Sequence, residues 1–519
     1  MNVVELLDEQ VIERAESLAI IEGGRDRRIT FAQLAARGEA AAATFASSGL
    51  RAGEVVLVFS PMGIDLYVAL VGMLRLGLVA AFIDPSNGRG FIERCCAVVR
   101  PAALFASPRA HALRLVSPAV RAIPRAFSAS ALPATIRLGT QRARTPLVPR
   151  AADDPALITF TSGSTGAPKA AARSHGVLAA QLTALSAALR LDAGTVDTAT
   201  MPIVLLANLA AGVTSLIPGV DVRRPGAADP AALYEQMERY DARSIVASPA
   251  LLKRLALYCV SRRRSLKAVR RVFAGGAPVF PELLDLAAAA APRARITAVY
   301  GSTEAEPIAD IARDDVLPED REAMHAGAGL LAGVPVPSID LAIIANSWGT
   351  PIPAMAAAQF EALRLPAGAP GEIVVSGPHV LPGYLGGVGD QETKFRVDGV
   401  AWHRTGDLGY RDTQGRLWLL GRCAAAIRDD RGTLYPFAVE CAVSDATGVA
   451  RCAVARIKER RVLFVEPAAG VKLDKDALQR RLAWTQLDEI ALLPHIPVDK
   501  RHNAKVDYVE LARIASRRV

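Results

Sequence analysis

The chain has 519 residues, of which 51% are hydrophobic and 22% are charged, and this composition excludes an intrinsically disordered protein. Its length exceeds that of one ordinary domain and predicts two or three domains. The net charge of +9 is compatible with anionic ligands. No basic run is interleaved with aromatic residues, however, and this disfavours a protein that binds nucleic acid.

The cysteines and the apolar segments indicate a cytoplasmic protein without a transmembrane segment. The six cysteines include no Cys-x-x-Cys pair and no spacing typical of metal ligands: Cys95, Cys96, Cys259, Cys423, Cys441 and Cys452. Because no signal peptide is seen at the N-terminus, we expect reduced thiols. The longest apolar stretch, 66–83, is interrupted by Arg75 and two glycines, and it predicts a helix and a strand rather than a membrane span.

Up to about residue 400, short β-like runs alternate with helical segments. The clearest predicted strands are 55–59, 79–83, 103–106, 156–160, 244–247 and 269–273. Helical spacing is found between them, as at 231–240 and 281–291. The alternation predicts an α/β fold in which helices cover parallel sheets. The stretch 121–150, rich in proline, alanine and arginine, predicts an ordered surface loop.

The pattern changes in the last third of the chain. From about residue 339 the β-like runs become shorter and look antiparallel, at 341–344, 372–376 and 417–420. A domain boundary is predicted near Gly421, which divides the chain into 1–421 and 422–519. The second part is predicted to be a small α+β unit, with helices at 437–444 and 475–483 and strands at 452–457 and 462–466.

Residues 161–169, Thr-Ser-Gly-Ser-Thr-Gly-Ala-Pro-Lys, follow a buried-strand pattern and precede a helical one. This layout predicts a loop that cradles phosphate groups, because Gly163 and Gly166 let backbone N–H groups approach anionic oxygens. Lys169 adds a positive charge, and hydroxyl donors come from Thr161, Ser162, Ser164 and Thr165. Pro168 before the lysine excludes the Walker loop, which needs Gly-Lys-Ser/Thr. A flexible linker is the alternative, but a linker would not follow a buried strand directly.

Further motifs appear downstream of this loop in a fixed order. They are Gly275-Gly276-Ala277-Pro278, Tyr300-Gly301-Ser302-Thr303-Glu304, Gly371-Glu372, Gly383-Tyr384, Arg404-Thr405-Gly406-Asp407, Gly421-Arg422 and Asn503-Ala504-Lys505. Each is a weak signal alone. In this order across 156–505, they resemble the adenylate-forming superfamily, which comprises acyl-CoA synthetases, peptide-synthetase adenylation domains and luciferases.

The resemblance implies an activity and a domain arrangement. A carboxylate would attack the α-phosphorus of ATP and give an acyl-adenylate and pyrophosphate. The large N-terminal domain would contain helix-covered sheets and a distorted β-barrel subdomain. The small C-terminal domain would act as a lid that rotates between the two half-reactions.

The resemblance also implies roles for three catalytic residues. Thr303 would contact the α-phosphate, and Glu304 would bind Mg²⁺, an ion that prefers carboxylate and phosphate oxygens. Lys505 would neutralise charge between the substrate carboxylate and the α-phosphate, with Lys500 as a nearby competitor. In this family the lysine usually follows glycine rather than Ala504.

The nucleotide would be held by residues of several motifs. The loop 161–169, including Lys169, would hold the β- and γ-phosphates. Tyr300, followed by Gly301, would stack on the adenine, and the backbone of Gly275, Gly276 and Ala277 would close its other side. Asp407 would accept hydrogen bonds from both ribose hydroxyls. Arg422 would support the ribose from the domain junction.

Two departures from the family pattern narrow the prediction. The stretch 201–208 lacks the histidine that many acyl-CoA synthetases have there, and Cys423, Ala424 and Ala425 replace the usual charged hinge. Several segments instead resemble the β-lactone synthetases of bacterial olefin pathways: Ile83-Asp84-Pro85, Ser248-Pro249-Ala250-Leu251-Leu252, Gly432-Thr433-Leu434-Tyr435 and Arg501-His502-Asn503-Ala504-Lys505. Members of that branch adenylate a β-hydroxy acid, whose own hydroxyl then displaces AMP.

Three functions from different classes follow. The first is activation of a fatty or β-hydroxy fatty acid, slightly favouring closure to a β-lactone, with an AMP-forming acyl-CoA or acyl-carrier-protein ligase as the alternative within this class. The second is a catalytically degenerate nucleotide-binding module, which the presence of Lys169, Glu304, Asp407 and Lys505 disfavours. The third is an unrelated scaffold that shares only the phosphate loop, which the later motifs disfavour.

Overall fold

The computed structural model describes residues 1–139, 145–162, 168–498 and 506–515. Its α-helices are α1 Glu5–Arg14, α2 Phe31–Ser47, α3 Ile64–Arg75, α4 Arg89–Val99, α5 Leu113–Val116, α6 Pro118–Arg121, α7 His175–Ala188, α8 Pro202–Ala210, α9 Pro230–Arg239, α10 Pro249–Ser261, α11 Pro281–Ala290, α12 Pro318–His325, α13 Ala357–Leu363, α14 Asp390–Thr393, α15 Pro436–Ala442, α16 Lys475–Arg481 and α17 Tyr508–Ala515. Short 3₁₀ turns occupy Pro85–Asn87, Ala110–Ala112, Pro225–Ala227, Arg313–Asp315, Leu385–Gly387, Cys423–Ala425 and Ala483–Thr485.

The strands of the first half are β1 Leu18–Glu22, β2 Arg27–Thr30, β3 Val55–Phe59, β4 Val79–Phe82, β5 Ala103–Ala106, β6 Arg125–Ser128, β7 Ile136–Arg137, β8 Pro155–Ser162, β9 Pro168–Ser174, β10 Val196–Ala199, β11 Thr214–Ile217, β12 Ser244–Ala247 and β13 Arg271–Gly275. Those of the second half are β14 Arg295–Ser302, β15 Ala305–Ala312, β16 Leu330–Pro335, β17 Asp340–Ile344, β18 Gly371–Ser376, β19 Lys394–Val397, β20 Val400–Arg411, β21 Leu417–Arg422, β22 Ile427–Asp429, β23 Gly432–Leu434, β24 Val449–Ile457, β25 Arg460–Pro467 and β26 Glu489–Leu492.

A seven-stranded sheet has the order β7-β6-β5-β3-β4-β8-β9 and is parallel except for its last pair. Its central strands are apolar on both faces. Val56 and Val58 of β3 enter one hydrophobic core, whereas Leu57 and Phe59 enter the core on the opposite face. Because successive side chains of a strand point to opposite faces, this burial requires helices on both sides. The continuous apolar run of β3 suits a strand that helices cover on both faces.

A larger sheet runs β17-β18-β20-β21-β16-β15-β14-β13-β12-β10-β11-β1-β2, with β19 paired to β20. The strands β10 to β14 pair in parallel, and those from β15 to β21 pair antiparallel. The predicted α/β fold class, with antiparallel strands after residue 339, is therefore confirmed. Within the described part of the chain, no helix is both long enough and apolar enough to cross a membrane.

Two local predictions were wrong. The predicted order of strand, loop and helix omitted a strand: β9 follows the phosphate-loop motif and pairs antiparallel with β8, and the expected helix begins after it, at His175, as α7. The alanines of β9 favour a helix intrinsically, but pairing at the edge of the sheet overrides this weak preference. The stretch 121–150 is not only a loop, since β6 and β7 extend the first sheet there.

After β21 the chain forms two separate small sheets, β22-β23 and β24-β25-β26. Val439, Val454 and Leu463 belong to the core between α15 and the larger of these sheets. The predicted helices and strands of 422–519 are present, with ends displaced by up to three residues. The division into two domains at Gly421 remains a prediction.

A buried ion pair holds the second sheet together next to the Arg404-Thr405-Gly406-Asp407 motif. Arg404 Nε and Nη2 each donate to a carboxylate oxygen of Glu372 at 2.7 Å, which joins β20 to β18, and neither side chain is exposed. Arg404 also donates to the Thr350 carbonyl at 2.7 Å. A buried ion pair is tolerated when two parallel hydrogen bonds join its charged groups, as they do in this pair. The pair fixes the strand that carries Asp407.

Candidate functional site

The phosphate-loop motif lies between β8 and β9. Thr161 is opposite Lys169 in the antiparallel register, and Ser162 is opposite Pro168. The intervening residues predicted to bind phosphate, Gly163, Ser164, Thr165 and Gly166, lie outside the described residues. Of this loop, only the two ends therefore belong to the described residues.

Lys169 is almost fully buried, and its ammonium nitrogen lies 2.6 Å from Glu392 Oε2 on α14. A glycine at position 389 leaves room for this contact. A Cβ atom there would lie 2.6 Å from Lys169 Cδ, and the φ of +98° is one that other residues rarely adopt. The structure thus pairs the predicted phosphate-binding cation with a carboxylate that the sequence did not single out.

Glu304, the predicted magnesium ligand, follows the end of β14 and accepts a hydrogen bond from the Tyr384 hydroxyl at 2.6 Å. The backbone N–H of Tyr384 donates to Asp390 Oδ1 at 2.8 Å, and Leu381 N–H donates to the Glu304 carbonyl at 2.7 Å. These bonds connect the segment that contains Gly383-Tyr384 to the Tyr300–Glu304 motif. Two motifs that are 80 residues apart in the chain therefore form one site.

Tyr384 also lies beside two lysines. The ammonium nitrogens of Lys169 and Lys394 lie 5.8 and 5.7 Å from the centre of its ring. Cations at this distance from an aromatic ring are attracted by its electrons. The Lys394 ammonium is buried and donates to the Leu381 carbonyl.

Burial and neighbouring charges decide the protonation of this cluster. Burial lowers the pKa of Lys394 to about 8, although Glu304 and Asp390 oppose that shift. Burial, followed by the Lys394 charge, lowers the pKa of His403 to about 3, so this imidazole is neutral at pH 7. His403 Nδ1 lies 3.1 Å from the Thr393 carbonyl, which only accepts, so this nitrogen carries the proton.

The Glu304 carboxyl is ionised. Burial raises its pKa, but His403, the Tyr384 hydrogen bond and Lys394 together lower the pKa below its ordinary value. Because His403 is neutral, we attribute the ionisation to the Tyr384 hydroxyl and the Lys394 charge. An ionised carboxylate is the kind of oxygen ligand that Mg²⁺ prefers, so Glu304 fits the predicted metal role.

The second half of the site joins Tyr300 to Asp407 and Arg422. The Tyr300 hydroxyl donates to Asp407 Oδ2 at 2.7 Å, and Arg422 Nη1 lies 3.2 Å from Asp407 Oδ1. Asp407 and Arg422 are register partners on β20 and β21. Burial, followed by the Asp407 charge, raises the pKa of Tyr300 well above its ordinary value, so the phenol stays protonated. The predicted adenine and ribose contacts of these residues remain predictions.

The Gly275-Gly276-Ala277 motif lies at the carboxyl end of β13, next to β14. Gly275 is opposite Val299, and an added Cβ atom at Gly275 would lie 3.1 Å from the Val299 carbonyl. Gly276 has a φ of +83°, which favours glycine. Because neighbouring parallel strands end at the same edge, this turn lies beside Tyr300 and Gly301.

Arg173 is a site residue that the sequence did not indicate. It is buried on β9, and it donates to the Thr303 carbonyl at 2.5 Å and to Thr159 Oγ1 at 3.1 Å. It thus connects the first sheet to the loop that carries the predicted catalytic residues Thr303 and Glu304. Burial lowers its pKa, although Glu306 and Glu304 oppose that shift.

Lys505 and its competitor Lys500 lie outside the described residues, within 499–505. The residues on either side of this segment are held together, since Val498 and Val506 form an antiparallel bridge and Asp507 N–H donates to the Pro497 carbonyl at 2.9 Å. Tyr508, at the start of α17, donates to Glu440 Oε1 at 2.5 Å. The flanks are thus joined to each other and to α15, and Ile496 and Leu511 share a hydrophobic core with Phe464 of β25.

Comparisons with known proteins agree with the motif order. A family model described as AMP-binding enzyme matches residues 7–385. The chain is 32% identical to an olefin beta-lactone synthetase of Stenotrophomonas maltophilia, over 99% of this chain and 98% of that protein. It is also 32% identical to an olefin beta-lactone synthetase of Xanthomonas campestris pv. campestris, over 98% of this chain and 97% of that protein. The fold matches ATP-bound MatB from Rhodopseudomonas palustris with a TM-score of 0.80, at 21% identity over 99% of each chain.

The lowered pKa of Lys394 predicts a pH-dependent stability. Its pKa is about 8 in the folded protein against 10.5 for an ordinary lysine, so the unfolded chain binds the proton more tightly. Between these pH values the free energy of unfolding of the wild type should rise relative to Lys394→Met, by up to about 1.4 kcal/mol per pH unit. Urea unfolding at pH 7.5, 9 and 10 measures this difference. The exposed Lys253→Met is the control, and a difference that stays constant with pH would contradict the assignment.

Proposed function

The chain belongs to the AMP-binding enzyme family, as its motif order predicts, and we propose that it activates a β-hydroxy carboxylic acid and closes it to a β-lactone. One observation carries the lactone part of the proposal. The similarity to two olefin beta-lactone synthetases extends over practically the full chain, so it includes the C-terminal residues where the second half-reaction would be decided.

In the first half-reaction an oxygen of the substrate carboxylate attacks the α-phosphorus of ATP. The bond between that phosphorus and the bridging oxygen breaks, and pyrophosphate leaves with the electron pair. Such a reaction needs aligned groups and stabilised charge more than covalent participation of the protein. Lys169 lies on β9 opposite Thr161, near the end of β9 that borders the phosphate loop in sequence, which supports its role at the leaving group. To reach a phosphate, its ammonium would leave Glu392.

Glu304 would hold Mg²⁺, which when bound neutralises phosphate charge. The Tyr384 hydroxyl donates a hydrogen bond to Oε1 of Glu304 and so orients this carboxylate. Tyr300, Asp407 and Arg422 form a connected group on neighbouring strands, which supports a common role at the nucleoside. Arg173 would keep Thr303 in place through its backbone carbonyl.

In the second half-reaction the β-hydroxyl of the bound acid attacks the activated carbonyl carbon. The carbon–oxygen bond to AMP breaks, AMP leaves, and the hydroxyl proton is released, so the ring product is the acid minus one water. A hydroxyl of the same molecule has a high effective concentration at that carbon. The hinge turn Cys423–Ala425 carries no charge, and Cys423 is buried. This agrees with a second step that needs no thiol substrate.

The proposal predicts turnover without CoA. A 3-hydroxy fatty acid with ATP and Mg²⁺ should release both pyrophosphate and AMP and give a product lighter than the acid by one water in mass spectrometry. The matched control is the fatty acid of the same length without the hydroxyl, which should give adenylate and pyrophosphate but no continuous AMP release. AMP release that requires CoA or a carrier protein, together with a thioester product, would instead identify an acyl-CoA or acyl-carrier ligase.

Lys505 is the proposed catalytic lysine. At about 4 Å and an effective dielectric constant near 20, one positive charge contributes roughly 4 kcal/mol, so its loss should slow adenylation by roughly a hundredfold or more. We expect this for Lys505→Ala in a pyrophosphate-release assay, with ATP binding and circular dichroism nearly unchanged. Lys500→Ala is the control and should remain active. The reverse result would transfer the role to Lys500.

Glu304→Gln keeps the shape of the side chain but removes the charge that a cation needs. Activity should fall, and the Mg²⁺ concentration for half-maximal activity should increase. Glu282→Gln is a suitable control, because Glu282, His325 and Asp445 form a separate group whose oxygen and nitrogen atoms lie within 4.8 Å of one another. An unchanged Mg²⁺ titration for Glu304→Gln would mean that Glu304 is structural.

A further inference from the structure

One segment of the surface contains most of the excess positive charge of the chain. Residues 249–271 include eight basic residues and no acidic one, whereas the net charge of the whole chain is +9. The eight are Lys253, Arg254, Arg262, Arg263, Arg264, Lys267, Arg270 and Arg271. They lie on α10 and on the loop that leads from it to β13. We call this segment the basic strip.

The charges of the basic strip face solvent. Seven of the eight basic residues, all except Arg271, are exposed. Within the described residues none of these seven forms an ion pair, and the acidic residues Glu235 and Glu238 of the neighbouring α9 do not pair with them either. Arg254 and Arg270 donate only to backbone carbonyls. The strip is thus an uncompensated positive surface.

Aliphatic side chains lie between the charges. Leu257 and Val260 are 48% and 44% exposed, although the opposite face of α10 is fully buried. The exposed residues Lys253, Leu257 and Val260 have the spacing i, i+4 and i+7, which places them on one side of α10, and Arg264 follows just beyond the end of this helix. Arg264 is held there over the rings of Tyr234 and Tyr258, at 5.2 and 5.8 Å.

Stability of α10 does not explain this surface. Arginines at a helix C-terminus interact favourably with the helix dipole, and this accounts for Arg262 and its neighbours. It does not account for Lys253, which lies in the second turn of α10, far from the last turn in which the dipole favours a cation. It also does not explain two large aliphatic side chains exposed beside these charges.

We propose that the basic strip is a docking surface for an anionic lipid membrane. Basic residues attract anionic head groups, and exposed aliphatic residues on the same helix side insert at the boundary with the acyl chains. A surface for single-stranded nucleic acid would need exposed aromatic rings for base stacking, whereas Tyr234 and Tyr258 are half-buried beneath Arg264 and the large exposed apolar residues of the strip are aliphatic. The proposal rests on the proposed function in one respect, since an apolar acid and its lactone concentrate in membranes.

The strip is remote from the candidate active site. In the unit formed by β12, α10 and β13, the strands are parallel, so the C-terminal end of α10 lies at the edge where β13 starts. Gly275 of the predicted nucleotide site lies at the other end of β13. Changes at Arg262 and Arg263 should therefore leave adenylation intact.

The test is co-sedimentation of the full chain with vesicles, in the absence of ATP and acid. Vesicles of phosphatidylcholine are compared with equimolar phosphatidylcholine and phosphatidylglycerol, at low and physiological ionic strength. We expect salt-sensitive binding to the anionic vesicles only. The double variant Arg262→Glu/Arg263→Glu should bind at least about tenfold more weakly, and Leu257→Gln/Val260→Gln should also bind more weakly. Arg51→Glu/Arg109→Glu makes the same change in net charge on exposed residues elsewhere and should bind normally.

The proposal would be overturned if the chain bound neutral vesicles as well as anionic ones, or bound neither. It would also be overturned if the Arg51/Arg109 control variant lost as much vesicle binding as the Arg262/Arg263 variant. Binding of an RNA oligonucleotide that depends on Arg262 and Arg263, without vesicle binding, would overturn it in favour of a nucleic-acid surface. Pyrophosphate release from a soluble short-chain acid is measured in parallel. Vesicle binding without any pyrophosphate release would refute the proposed function and leave the docking surface standing.

Discussion

The hydrogen bond from the Tyr384 hydroxyl to Glu304 is the contact on which the rest of the candidate site depends. It joins the segment before α14 to the end of β14, and it orients the carboxylate predicted to bind Mg²⁺. The ammonium groups of Lys169 and Lys394 both lie within 5.8 Å of the centre of the same tyrosine ring. One side chain therefore positions the anion and both cations that would surround the triphosphate.

Charge burial is the constraint behind this arrangement. Glu304, Lys169 and Lys394 lie close together with little access to water, and Lys169 is paired with the half-exposed Glu392. Buried charges of this kind need partners of opposite charge. A triphosphate brings further negative charge and would compete with Glu392 for Lys169. The ion pair at 2.6 Å thus holds the Lys169 ammonium in place, and a bound triphosphate would have to replace Glu392 as its partner.

The sequence predicted the parts of the fold in which local pattern and environment agree. The strands β3, β5 and β12 have the predicted bounds, because each is a continuous apolar run buried on both faces. In β9, alanines favour a helix locally, and only pairing with β8 decides otherwise. Motif order indicated Lys169, Glu304 and Asp407, whose roles stay predictions. It did not identify Arg173 or Lys394, whose importance comes from contacts made across sheets that no local pattern encodes.

Contacts between distant parts of the chain also hold the residues on either side of the segment that contains the proposed catalytic lysine. The bridge between Val498 and Val506 joins the residues on either side of 499–505 to each other, and the bond from Tyr508 to Glu440 joins them to α15. Burial raises the pKa of Glu440 to about 7, and the Tyr508 hydrogen bond and the Arg451 charge oppose that shift. The Asn503-Ala504-Lys505 motif indicates a catalytic lysine by its order in the chain, but the contacts of its flanks come from residues more than 60 positions away, which no local pattern encodes.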